Sequence, residues 1–175
     1  MSRFAEALVS GNRMSLWLAE QLLKDVKPEI FCRKPSFGGK VIDANHAGFV
    51  FGHLALYPAR WLTAAGLDAS PAAVPAGYED LFDAGKECKD DPSGVIYPPM
   101  KQITEAFFAS HAAALSAIGS LSDDALRGPN PREGRMREMF PTLGGLLLFY
   151  MTNHPMMHLG QVSTWRRCFG LGPVM

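Results

Sequence analysis

The sequence predicts an all-α protein, a four-helix bundle with a long crossover connection between helices 2 and 3. Three observations predict it. Four long segments repeat apolar residues at helical spacing, no strand-like alternation of any length separates them, and residues 67–98 are rich in Pro, Gly and Asp. Long helices with one apolar face each bury those faces best against one another.

The first helix is predicted over about Arg3 to Val26, with Phe4, Leu8, Leu18 and Leu22 on one stripe and Pro28 beyond its end. Asp43 reads as the N-cap of a second helix that runs to about Ala65, with Gly66 as its stop. Phe49, Val50, His53, Leu56, Tyr57 and Trp61 recur on one side of it, and Pro58 should kink it. The connection that follows holds one short helical candidate, Tyr78 to Ala84. A stretch of this length is either functional or disordered. A third helix is expected from about Pro99 to Ile118, with Ile103, Phe107 and Ala114 on one face. After the polar connector SLSDDALRGPNPREGRMREMF, the fourth helix starts near Thr142 and reaches Phe169.

A chain of 175 residues suits one domain spanning 1–175, whose core stands without disulfide or zinc staples. Hydrophobic residues at 47% against 19% charged mark a globular chain. Seventeen basic and seventeen acidic residues cancel, which argues against a nucleic-acid surface. Cys32, Cys88 and Cys168 are odd in number and form no CxxC pair, so they read as free thiols in a reducing compartment, with one of them reactive at most. The N-terminus has no signal-peptide run, and the apolar run Leu143 to Met151 is too short to span a bilayer. The expectation is a cytoplasmic protein with no membrane partner.

The histidines carry the chemistry. His154 and His158 are four residues apart on the fourth helix, about 40° apart around its axis and about 6 Å along it. Two imidazoles can reach one ion from that spacing, as in HxxxH metal helices. They lie on the stripe Leu147, Tyr150, His154, His158, Gln161 and Trp165, which should face the interior, where unpartnered imidazoles are costly. A hydrogen-bonded core pair satisfies the spacing equally well. His53, halfway along the second helix on its apolar face, is placed to meet them. Three neutral imidazoles leave positions open for water or substrate, the plan of a reactive site. Such a donor set suits zinc, nickel or ferrous iron better than calcium or magnesium, with zinc or nickel favoured.

His46 precedes His53 by seven residues, about 10 Å along the helix, which is too far to share the ion. A helix-start or supporting role fits it. His111, beside Phe108 and Leu115, reads as a packed or surface histidine.

The stretches NHAGFVFGHLALYPARWL and HPMMHLGQVSTWRRCFG resemble the DinB/YfiT-like proteins, whose second helix carries a GHL-type histidine and whose last helix carries HxxxHxGQ. The segment GYEDLFDAGKECKDDPSGVIYPPMKQITEAF is similar to their long connection, which ends at a Tyr-Pro before the third helix. The resemblance therefore spans most of the chain. It implies one divalent ion on His53, His154 and His158, with the family's Gly-Gln pair on Gly160 and Gln161. It also implies thiol-dependent transferase or isomerase chemistry, in which the metal binds and activates a low-molecular-weight thiol. The chain departs from the pattern at Pro155, which removes the bond to the Met151 carbonyl, should kink or bulge the helix, and should push His154 off ordinary helical geometry.

Gln161, one turn past His158, is expected to orient a ligand or to cap a buried polar group. Tyr57 and Arg60 share the His53 face and are candidates for substrate contact. Arg127, Arg132, Arg135 and Arg137 lie before the fourth helix, and about 20 Å of helix separates them from His154 unless the connector folds back. Two functions stand: a metal-dependent transferase, isomerase or hydrolase acting on a small molecule, or a non-catalytic metal-binding protein whose ion is regulatory or vestigial. A second copy of the chain, as a homodimer, is the one macromolecular partner expected.

Overall fold

In the computed structural model, which describes residues 2–174, the Ser2 hydroxyl accepts from the Ala5 amide at 3.1 Å and starts α1, Arg3–Leu23. Ala5, Leu8, Asn12, Ser15, Ala19 and Leu22 form its buried face at three- and four-residue steps. The helix ends before Asp25, which adopts φ +62°, and a one-turn helix, α2 (Pro28–Phe31), follows.

One pair of strands that the sequence did not predict comes next. β1 (Ser36–Phe37) pairs antiparallel with β2 (Lys40–Val41), with Ser36 opposite Val41. Gly38 and Gly39, at φ +57° and +79°, make the two-residue turn, a conformation that needs positive φ at both positions. Both strands are exposed on both faces, so no apolar alternation marks them.

The expected second helix is two helices, α3 (Ala47–Ala55) and α4 (Tyr57–Ala64), divided at Leu56. The division follows from Pro58, which cannot donate to the Leu54 carbonyl. The N-cap is His46 rather than Asp43: His46 Nδ1 accepts from the Phe49 amide at 3.0 Å, whereas Asp43 pairs with Lys34 Nζ at 2.6 Å. An imidazole lone pair does here what a short oxygen-bearing side chain usually does.

The long connection is ordered. A 3₁₀ turn (Ser70–Ala72) and α5 (Tyr78–Phe82) punctuate it. Beyond them the Asp91 carboxylate accepts from the amides of Val95, Ile96 and Tyr97 at 3.0, 3.0 and 3.1 Å. Burial alone would raise that carboxyl's pKa, but these amides outweigh it and hold it below the usual range. The Asp91 amide donates to the Cys32 carbonyl at 3.1 Å, and His46 Nε2 donates to the Lys89 carbonyl at 3.0 Å, tying the connection to α2 and α3.

α6 (Met100–Ile118) begins one residue after Pro99 and packs on α3, α4 and the 3₁₀ turn. Between α6 and the last helices lie α7 (Asp123–Arg127) and α8 (Arg135–Met139), and fully buried Asn130 holds α8 by donating to the carbonyls of Met136 and Phe140. Thr142 caps α9 (Leu143–Leu148), a π-helical stretch covers Phe149–Asn153, and α10 (His154–Cys168) completes the chain. Arg166, 3% exposed, donates from Nη1 to the carbonyls of Leu22 and Lys24 at 2.7 and 2.5 Å, so α10 closes the C-terminal end of α1. The protein is mostly helical, with one cluster of buried apolar side chains reaching from Ala5 to Trp165. Among the described residues, no helix is long and apolar enough to cross a membrane.

His46 and His111 are fully buried, and burial pushes both imidazoles down to about 4. His111 is packed, with Nδ1 donating to the Phe107 carbonyl at 2.8 Å and its ring against Trp61. Both rings are neutral when folded, whereas the unfolded chain takes up protons below about pH 6.5. Stability is therefore full above that pH and falls as pH drops towards 4, by on the order of 3 kcal/mol per ring. Thermal melts from pH 7 to 4 should record the fall, and His111→Phe should flatten it. Equal slopes in the two proteins would rule this cause out.

Candidate metal centre

The three histidines come from two elements. His53 sits in the last turn of α3, just before the break at Leu56, and His154 and His158 occupy the first and second turns of α10. One ligand-type atom from each lies within 4.8 Å of the others. His53 and His154 are each 6% exposed and His158 is half-buried. The His53 ring centroid is 4.8 Å from that of His158 and 5.4 Å from that of His154.

Hydrogen bonds decide which nitrogens are free. His53 Nδ1 donates to the Phe82 carbonyl at 2.8 Å, which leaves its Nε2 as a lone pair. His158 Nδ1 donates to Gln161 Oε1 at 3.1 Å, so its Nε2 is likewise a lone pair, 3.1 Å from His154 Nε2. That approach is met either by a proton on His154 Nε2 or by a cation between the two nitrogens. A tetrahedral zinc site with Zn–N of about 2.0–2.1 Å places its nitrogens about 3.3 Å apart, close to the spacing of this pair. His154 Nδ1 is buried with no partner. Burial lowers the pKa of all three rings, His154 to about 3 with further lowering from His158 and His53, so each is neutral with a lone pair to offer. The donor set fits a divalent transition metal.

Pro155 acts upstream of where the sequence placed its effect. His154 keeps ordinary helical dihedrals, φ −63° and ψ −49°, contrary to expectation. The preceding five residues absorb the disturbance as the π-helical stretch, closed by a bond from the His154 amide to the Phe149 carbonyl.

The imidazoles line a cleft of about 360 Å³, walled by Asn45, Phe49, Val50 and Tyr57 on one side and by Asp83, Ala84, Gly85 and Lys86 of the long connection on the other. Tyr57 stands where the sequence placed it, its ring centroid 4.3 Å from that of His154. Arg60 does not line the cleft; its guanidinium pairs with Asp83 at 2.8 Å and Glu79 at 3.5 Å and lies 5.3 Å from the Tyr57 ring. His46 supports the cleft from behind, as the α3 cap. Gln161 also accepts from Asn45 Nδ2 at 3.3 Å, while a methyl on Gly160 would meet nothing within 4 Å. A second cavity, of about 600 Å³, shares Asn45 with the cleft and is lined by Ile42, Ala44, Gln161, Trp165 and Cys168.

Of the four connector arginines, Arg132 folds back to a small cavity beside Tyr57 and Tyr150, whereas Arg127 pairs with Asp124 and Arg137 holds the Asn130 and Arg132 carbonyls. Burial raises the Cys32 thiol to about 12 and the Cys88 thiol to about 11, so neither is a thiolate at neutral pH. Cys168 is exposed. Sequence reasoning did not find Asn45, Phe82 or the 83–86 wall. Only the length of the connection hinted that some part of it would meet the site.

The fold and site define a helical protein with a three-histidine cluster that could hold a metal ion at the base of a cleft. A family model described as the DinB superfamily matches residues 17–162, and the chain belongs to that superfamily. No curated protein matches it.

Proposed function

We propose that this chain is a metal-dependent enzyme acting on a small molecule, with one zinc or nickel ion held by His53, His154 and His158 in a four-helix bundle whose long crossover joins the second and third helices. One observation carries the proposal: three neutral imidazoles converge at the floor of a cleft, and among the described residues no fourth His, Cys, Asp or Glu joins them. Three protein ligands with positions left open is the plan of a catalytic site rather than a closed structural one.

When bound, such an ion supplies Lewis acidity, lowering the pKa of a coordinated thiol or water and polarising a carbonyl. The chain's own groups do the rest. Phe82 and Gln161 fix the His53 and His158 tautomers. The aromatic wall of Phe49 and Tyr57 excludes water from one side. Lys86 brings positive charge to the cleft, since the Arg60 charge is already met by Asp83 and Glu79. The substrate class this favours is a small anionic thiol together with an electrophile whose apolar part fits the adjoining 600 Å³ cavity, giving an S-transferase or isomerase reaction.

Protein purified without a His tag or metal resin should carry stoichiometric zinc or nickel and turn over a thiol-plus-electrophile mixture. Stoichiometric calcium or magnesium at these histidines would overturn the metal assignment. Tight zinc binding without turnover across thiol classes would favour a regulatory ion.

A further inference from the structure

Pro155 has no N–H to return to the Met151 carbonyl four residues back. That carbonyl is met from another helix, because Asn12 Nδ2 donates to Met151 O at 2.6 Å and Asn12 is fully buried. Asparagine is an unfavourable residue at a helix interior and a costly one in a core, so its presence on the apolar face of α1 calls for a partner, and Met151 is that partner. The close approach needs the residue before it to be glycine: a Cβ at Gly11 would lie 2.6 Å from Thr152 Cγ2. Gly11 and Asn12 thus hold two consecutive residues, Met151 and Thr152, inside the π-helical stretch. The amide of His154 closes that stretch, so its shape sets the angle at which the His154 ring enters the cleft. The ring has no hydrogen bond of its own at Nδ1 to fix it, unlike His53 and His158.

We infer that Asn12, seated by Gly11, is a positioning residue for the histidine site: it holds the π-helical stretch from outside and thereby aims His154. The inference rests on the three-histidine reading and assigns a role to α1, which contributes no ligand. Both residues lie ahead of the stretch matched by the superfamily model, 17–162.

The test uses the full chain with two substitutions, Asn12→Leu and Gly11→Ala. Alanine raises the helix propensity of α1, so Gly11→Ala keeps the chain folded while its methyl displaces Thr152. Three quantities are read: zinc affinity by competition with a chromophoric chelator, melting of the metal-free protein, and imidazole ¹⁵N signals of the metal-free histidines. Each variant should bind zinc about tenfold more weakly, the scale on which lost ligand-orienting contacts act. Each should also shift the His154 signals while leaving those of His111 in place. A lower melting temperature alone, with zinc affinity and His154 signals unchanged, overturns the inference and leaves Asn12 a packing residue. Should Asn12→Leu fail to fold, Gly11→Ala decides. If the unsubstituted protein binds no zinc, the three-histidine reading fails, and the metal-free His154 signals still decide whether Asn12 aims that ring.

Discussion

His158→Ala is expected to abolish tight zinc binding while leaving the helix content in place. His158 supplies a lone pair whose direction is fixed by Gln161, and it faces His154 Nε2 at 3.1 Å. Removing it leaves two imidazoles for the ion, too few for a stable transition-metal site. The fold does not hang on that ion. The apolar cluster from Ala5 to Trp165 is continuous without the histidines, unlike a zinc finger whose metal is its core. His158 is half-buried, so its truncation should cost about 1–3 kcal/mol through lost packing and hydrogen bonding. Circular dichroism, thermal melting and bound metal measured on one sample check the outcome. Unfolding of the variant, or of unsubstituted protein treated with chelator, would make the ion a structural staple and end the enzymatic proposal.

A methyl group at Gly52 should be the most damaging small change near the site. A Cβ there would lie 2.5 Å from Phe82 Cδ1 and 2.6 Å from both Cδ2 and Cε1, so the ring rests directly on the α3 backbone. Phe82 is fully buried and stacked on Tyr97, with nowhere to go. Gly52→Ala therefore overpacks the core by about 1–3 kcal/mol. It also moves the carbonyl that fixes His53, so zinc affinity falls with stability. Gly160→Ala is the matching control, because an exposed helical glycine with open space around it should lose nothing and gain up to about 1 kcal/mol. Equal melting temperatures for the two variants would refute the steric account.

The long helices were legible because their apolar residues recur with the helical period, and the two internal prolines marked where that period would be disturbed. His154 and His158 were legible from spacing, and His53 from its place on an apolar face. The hairpin was not, because both strands are exposed and only the Gly-Gly pair marks it. His46 was legible as a helix-start residue, but the N-cap itself was assigned to Asp43, because a short oxygen-bearing side chain is the usual cap. Asp83 to Lys86 reach the cleft along a path set by the amides gathered on Asp91 and by the Lys89 bond to His46, interactions between residues that no periodicity links. Asn12 did leave a signal, a polar side chain four residues after Leu8 on a buried stripe. Its meaning depends on Pro155, which is remote in sequence and adjacent in space.

The buried Arg166 guanidinium also bears on how the protein opens. α1 is clasped to α10 at one end by Arg166 on the Leu22 and Lys24 carbonyls, and to the π-helical stretch that leads into α10 by Asn12 on Met151. Neither helix can swing away without stripping hydrogen bonds from a buried cation or a buried amide, each costlier to expose than to keep. Local fraying of one alone should thereby be suppressed, and native-state hydrogen exchange is expected to record the two as a single unit. The histidines of the last helix are then expected to open only as slowly as the chain's first helix, far from them in sequence.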